Sequence, residues 1–174
     1  MALTSTPYGL RPINAIGGRP FAGSTRQLPI TSGFNTAIAN GDIVQVAANG
    51  TITKVTEVGT NAAAFPAGTV GIFLGCSYTD PTFGKTFRQF YAATTNITDI
   101  VAFVQDDPDA LYKVAVVSSG TTIGTVTRAN VGENAVLVQN AGSTITGDSK
   151  VAISSTLGTT STFPIRIIDV IAET

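Results

Sequence analysis

Residues 41–58 have the sequence GDIVQVAANGTITKVTEV, which sets the fold class of this chain. Two runs rich in β-branched and other apolar residues, Ile43–Ala47 and Thr51–Val58, lie on either side of Asn49-Gly50. An Asn-Gly pair between such runs is typical of a tight hairpin turn, because glycine adopts positive φ without steric cost. The segment therefore predicts an antiparallel β-hairpin.

The same pattern continues toward the C-terminus, with short apolar runs separated by Gly, Asn, Asp, Pro or Ser. The further predicted strands are Thr69–Cys76, Thr86–Tyr91, Ile100–Gln105, Ala110–Val117, Ala135–Gln139, Lys150–Ser154 and Ile165–Ile171. Residues 140–163 are rich in Ser, Thr and Gly and are predicted to be loops around one of these strands. Helical signals are weak, and one short helix within Thr122–Asn130 is the most that we expect. Residues 41–174 are therefore predicted to form an all-β body, an antiparallel β-sandwich or a barrel-like structure.

Residues 1–40 differ from that body in composition. They contain four of the eight prolines and three arginines, and they contain no Asp or Glu. Prolines fix φ and push the preceding residue toward extended conformations, while the glycines between them permit bends. The pattern predicts a long extended N-terminal arm that forms neither a helix nor a central strand.

Apolar and basic side chains recur along this arm, whereas disordered linkers are poor in such apolar residues. Since a segment interrupted by Pro and Gly is expected not to bury them against itself, we predict that they bind other chains. The predicted partner-binding residues are Tyr8, Leu10, Arg11, Ile13, Ile16, Arg19, Phe21, Arg26, Leu28 and Ile30.

Charge is scarce in this protein. Charged residues make up 12% of the chain and hydrophobic residues 43%, whereas an average soluble domain carries about 25% charged residues. Interfaces are depleted in charge, so this composition favours a protein whose surface is largely covered by partners. The net charge of −1 gives no general attraction to nucleic acid or to acidic membranes.

Candidate catalytic and metal-binding residues are few. The chain has no histidine and one cysteine, Cys76, which argues against Ser-His-Asp and Cys-His catalysis and against the commonest zinc sites. Cys76 lies in an apolar run and is predicted to be buried and unreactive. The acidic cluster Asp106-Asp107-Pro108-Asp109 is suited to a turn, with calcium binding or carboxylate catalysis as the alternatives. We expect no catalytic residue, no cofactor and no metal.

Neither a nucleic acid nor a membrane is an expected partner. Phe83, Phe87, Arg88, Phe90 and Tyr91 come closest to a base-stacking pattern, but an aromatic strand that faces a core explains them more simply. The sequence contains no run of about 20 apolar residues that could span a membrane.

Several segments resemble small virion structural proteins of tailed bacteriophages, which are typically head decoration or cement proteins. The segments are MALTSTPYGLRPINAIGG, GRPFAGSTRQLPI, GDIVQVAANGTITKV, GTVGIFLGCSY, VAFVQDDPDALYKVAV and FPIRIIDVI, and together they cover most of the chain. The resemblance implies a β-rich protein on the capsid surface that bridges major capsid protein subunits and stabilises the shell. It provides no catalytic residue to transfer.

Three other functions stay open at this point. The chain could be another β-rich virion component, such as a tail, fibre or adhesion module. It could also be a hydrolytic or sugar-binding enzyme that uses Asp106, Asp107 or Asp109, or a cellular β-domain. For the decoration protein we expect a homo-oligomer, either a dimer or a trimer, made in the host cytoplasm before it joins the virion.

Overall fold

The computed structural model describes residues 5–55, 65–94 and 96–171, and these residues are almost entirely strands and loops. The strands in chain order are β1 (Arg11–Ala15), β2 (Arg19–Pro20), β3 (Arg26–Pro29), β4 (Ile43–Val46), β5 (Ile52–Lys54), β6 (Thr69–Asp80), β7 (Gly84–Arg88), β8 (Val101–Gln105), β9 (Ala110–Lys113), β10 (Val116–Ser119), β11 (Thr122–Ile123), β12 (Asn134–Val138), β13 (Ala152–Gly158) and β14 (Ile165–Arg166). A single 3₁₀ turn, Arg128–Asn130, replaces the short helix expected near that position. The all-β prediction is confirmed.

The large sheet has the strand order β3-β8-β6-β4-β5, and β7 pairs with the far half of the long strand β6. The hairpin of β4 and β5 is confirmed, with Val46 opposite Ile52 and Gly50 at φ 78° in the turn. Strand β5 ends at Lys54, and residues 56–58 of the predicted strand lie outside the described residues.

The two outer strands of the large sheet, β3 and β5, approach each other where the sheet curves. Ile30, directly after β3, forms a parallel bridge with Ile52 of β5, and the hydroxyls of Thr31 and Thr51 share a hydrogen bond. The sheet therefore curves around an apolar interior that we call the first core. The first core consists of Ile30, Ile38, Val44, Ile52, Phe73, Cys76, Tyr78, Tyr91, Ile97, Ile100, Ala102 and Val104.

The second sheet has the order β11-β10-β13-β12-β14, and it contacts the opposite face of the large sheet. Successive residues of a strand point to opposite faces, so Val44 enters the first core while Ile43 enters the second. The second core consists of Leu10, Ile43, Val55, Ile72, Ala135, Leu137, Val151 and Ile153. Among the paired strands, β10 and β13 are parallel, which the antiparallel prediction did not include.

A small third sheet, with the order β2-β1-β9, contains the N-terminal residues. The predicted long extended arm is not what the structure shows, because residues 5–40 contribute three strands and pack against the rest of the chain. β1 even lies between two other strands, contrary to the expectation that this segment could not form a central strand. The register of β1 and β9 shifts between Pro12 and Asn14. This irregularity accommodates Pro12, which has no N–H to donate to a neighbouring strand.

A buried ion pair lies where the N-terminal segment, β5 and the 140–150 loop meet. Asp42 is fully buried and accepts hydrogen bonds from Lys54 Nζ at 2.6 Å and from the Ala39 N–H at 2.7 Å. Its other carboxylate oxygen accepts a 2.7 Å hydrogen bond from the Ser149 hydroxyl. One carboxylate thus joins three segments that are distant in sequence.

Two predicted strands differ from the observed ones by more than a shift of their ends. The run Ala110–Val117 is divided into β9 and β10. Tyr112, Val114 and Val116, which alternate along this run, all pack on the second core. The run Ile165–Ile171 forms only the two-residue edge strand β14, and Ile168 and Ile171 beyond it are exposed. Apolar residues lie on both faces of this run, but only one face meets the core.

Candidate interaction surface

The structure divides the ten predicted partner-binding residues into two groups. Leu10 and Ile30 are 3% and 2% exposed, since Leu10 enters the second core and Ile30 the first. The expectation that the arm could not bury its own apolar residues is therefore wrong for these two. Short strands in residues 11–29 pair with β9 and β8, which lets the intervening segments lie flat on the body. Tyr8, Phe21 and Leu28 are half-buried, whereas Ile13 and Ile16 are 44% and 54% exposed.

The three arginines of this segment form ion pairs within the chain. Arg11 contacts Asn40 and Asp148. Arg19 pairs with Asp109 at 3.1 Å and Arg26 with Asp106 at 2.6 Å. The prediction that these arginines bind other chains did not include these internal acids, because residues distant in sequence become neighbours only through the pairing of β1 with β9 and of β3 with β8.

The hairpin of β1 and β2 is a largely exposed part of the N-terminal segment. Ala15 lies opposite Arg19, and Gly17 and Gly18 make the turn between them at φ 85° and 76°, a conformation that favours glycine. The Ile16 N–H donates to the Asp109 carbonyl at 2.8 Å, so the backbone is anchored to the body while the side chain faces outward. We call residues 11–20 the N-terminal hairpin.

An open cavity of about 160 Å³ lies between this hairpin and the acidic turn. Its walls include Arg19, Phe21, Asp107 and Gln105. Gln105 is 2% exposed, and its side-chain carbonyl oxygen has no hydrogen-bond partner among the described residues. This oxygen is itself shielded from the cavity, and the charged groups on the walls already have partners in Asp109, whose carboxylate pairs with Arg19 and whose N–H donates to Asp107.

The acidic turn is organised by its own hydrogen bonds. The Asp107 carboxylate accepts from the Asp109 N–H at 2.9 Å, and the Asp107 carbonyl accepts from the Ala110 N–H at 3.1 Å. Asp106 and Asp109 are occupied by arginines, as described above. In the described parts of the chain, no three His, Cys, Asp or Glu residues lie close enough together to hold a metal ion. The geometry matches the structural interpretation of this cluster.

Cys76 is fully buried in the first core, as predicted. Burial raises the pKa of its thiol to about 11, and the positive charge of Arg88 offsets only part of this rise. Its thiol donates weakly to the Phe90 carbonyl at 3.6 Å. A thiol with such a raised pKa is protonated at neutral pH and is a poor nucleophile.

A second exposed apolar region lies at the tip of the β6–β7 hairpin, where the sequence predicted a strand facing a core. Tyr91 does face the core, but Phe83 and Phe87 are 80% and 71% exposed. The prediction failed for Phe87 because β7 extends past the body with only β6 beside it. The position of Phe83 between Pro81 and Gly84, in a turn, was the signal that could have indicated its exposure.

In comparisons with known proteins, no family model, no curated protein and no solved structure matched this chain. In the residues that the structure describes, no helix has both the length and the apolar character needed to cross a membrane.

Proposed function

We propose that this protein is a structural virion protein, a decoration or cement protein that binds the outside of an icosahedral phage head and bridges major capsid subunits. The resemblance of its segments to such proteins suggests this function, and the low charge of the chain is consistent with a surface that partners cover. Reinforcing a shell requires contact area and rigidity, and it requires no catalytic group.

The observation that carries the proposal is the exposure of two isoleucines on the N-terminal hairpin. Ile13 and Ile16 are 44% and 54% exposed on a segment whose backbone is fixed by β9 and by Asp109. A rigid element that presents apolar side chains loses little conformational entropy on binding. Because each isoleucine is already about half buried, covering the rest of its surface stabilises a complex by about 0.7–1.5 kcal/mol before other costs.

The candidate binding residues then have different roles. Ile13, Ile16 and Arg19 contact the capsid subunit. Leu10 and Ile30 anchor the segment in the two cores, and their contribution to binding is to hold the hairpin in place. In this proposal the N-terminal hairpin, and not a long free arm, makes the contact with the capsid, within a segment that is held in the body at Leu10 and Ile30.

The test uses phage heads that lack this protein and measures rebinding of the purified chain by co-sedimentation. The variant Ile13→Ser/Ile16→Ser should bind at least tenfold more weakly, since the loss of two apolar contacts exceeds 1.4 kcal/mol. Its matched control is Ile123→Ser/Ile168→Ser, which removes isoleucines with 47% and 52% exposure from other surfaces and should bind like the wild type.

Two results would contradict the proposal. Equal loss of binding in both double variants would mean that general surface hydrophobicity, and not the N-terminal hairpin, causes adhesion to heads. Failure of the wild type to bind heads, together with antibody labelling on tails or fibres, would show that the protein belongs to another part of the virion.

A further inference from the structure

The β6–β7 hairpin is a second surface that the proposed function does not use. Strand β7 is exposed along its length except at the half-buried Thr86. Phe83 and Phe87 are two of the three most exposed large apolar residues in the described chain. The third, Ile145 at 92%, lies in a loop whose Thr146 carbonyl accepts a hydrogen bond from Gln89, just beyond β7. Such a concentration of exposed apolar side chains marks an interaction site.

The aromatic side chains here are fixed in place. Phe87 stacks on Phe103 of β8 with 6.2 Å between ring centroids, although β6 lies between their strands. The two rings meet because the residues of β6 beneath them, Gly75 and Ser77, are small. Phe87 therefore presents a preformed surface.

The outer edge of β7 is also open. Among the described strands β7 pairs with β6 alone, so its other edge has backbone N–H and C=O groups without a strand partner. Lys85 and Arg88 on this strand, and Asp80 at the base of its turn, form no ion pair within the described residues. An unprotected edge of this kind is a template for another strand.

We propose that the β7 edge pairs with the β7 edge of a second copy of this chain, antiparallel, about a two-fold axis through Thr86. Opposed residues in an antiparallel pair point to the same face, so the sequence of β7 determines the contacts in this register. Thr86 then lies opposite its own copy, and Lys85 lies opposite Phe87 of the second copy. The cation meets an aromatic ring there, an attractive arrangement, and no like charges are opposed.

The third row of this register supplies charge complementarity. Gly84 lies opposite Asp80 within one chain and opposite Arg88 of the second copy. Asp80 Oδ1 accepts hydrogen bonds from the Thr82 and Phe83 N–H groups at 2.8 and 3.1 Å, which leaves Oδ2 to accept from a guanidinium. Since glycine has no side chain, none lies between this oxygen and Arg88 of the second copy. Strands about 4.8 Å apart place their Cα atoms about 10 Å from each other, which the long arginine side chain can span. Both groups are without an ion-pair partner in one chain, and the two-fold axis forms this pair twice.

This inference is independent of the proposed function, because the dimer forms whether or not the chain binds a phage head. Analytical ultracentrifugation of the full chain tests it directly. We expect the wild type to sediment with twice the mass of one chain. The variant Arg88→Glu should sediment as a monomer, because it places a carboxylate at position 88 of one copy next to Asp80 of the other. Arg166→Glu is the control, since it makes the same charge change on the exposed residue of β14 and should leave the dimer intact.

Cross-linking tests the register. Thr86→Cys should form a disulfide-linked dimer under mild oxidation, because residue 86 opposes itself. Lys85→Cys should not, because residue 85 lies two positions from its counterpart along the strand. The buried native Cys76 should form no link in the wild type. A wild type that is monomeric at every concentration overturns the proposal, as does equal cross-linking of the two cysteine variants.

Discussion

The buried pair of Asp42 and Lys54 offers the sharpest test of how this fold is stabilised. Asp42 is 0% exposed, and Lys54 has a side chain that is 13% exposed. The change Asp42→Asn retains the shape of the side chain. Its amide can accept from Lys54 and Ala39 through the oxygen and donate to the Ser149 hydroxyl through the nitrogen. The bonds from Lys54 and Ala39 survive and the bond to Ser149 reverses its direction, so the main loss is the ionic attraction to Lys54.

The magnitude follows from the burial of the ammonium that remains. Removing one partner of a buried pair costs about 3–5 kcal/mol, because the other charge is left uncompensated. Since Lys54 retains some contact with water, we expect Asp42→Asn to cost about 3 kcal/mol. Lys54→Met leaves a carboxylate with no exposure and should cost more, about 4 kcal/mol. The double variant Asp42→Asn/Lys54→Met contains no unpaired buried charge and should therefore be less destabilised than either single variant.

The assay is urea unfolding followed by far-ultraviolet circular dichroism at neutral pH, with the free energy of unfolding extrapolated to water. A double-mutant cycle should give a coupling energy of at least about 2 kcal/mol between the two residues. The reasoning is refuted if the two single effects add in the double variant, or if Asp42→Asn costs less than about 1 kcal/mol.

Two further predictions concern the cores and the N-terminal segment. Because burial raises the pKa of the Cys76 thiol to about 11 from about 9, the native protein should react with a thiol reagent far more slowly than the urea-unfolded chain. The same shift should make the folded state less stable as the pH rises from about 9 to about 11, since the unfolded thiol ionises first; equal labelling rates would contradict the burial. Leu10→Ala should destabilise the fold by about 2–5 kcal/mol through a cavity in the second core, whereas Ile16→Ala should change stability by less than about 0.5 kcal/mol. Similar melting temperatures for these two variants would show that residues 5–30 are not integral to the fold.

The sequence alone determined the strand content of this protein and its clearest local turn. The hairpin at Asn49-Gly50 formed as predicted, because its turn depends on the φ of one glycine and on neighbouring residues. The burial of Cys76 and the shared face of Tyr112, Val114 and Val116 were also predictable, since apolar runs and period-two alternation are local properties.

The tertiary structure decided the fate of the N-terminal segment and of the aromatic strand. Pro and Gly indicated that residues 1–40 are extended, but an extended segment can lie on its own chain as well as on another. This segment lies on its own chain because Asp106 and Asp109 pair with its arginines and because the edge of β8 pairs with β3. All of these partners are distant in sequence.

The same reason explains Phe87. The alternation of β7 assigns its residues to two faces, but whether a face is covered depends on which strands lie beside and above it. Phe87 is exposed because only β6 lies beside β7, while Tyr91, four residues later, is buried in the first core. Local periodicity fixes which side chains share a face, and only long-range pairing fixes what that face meets.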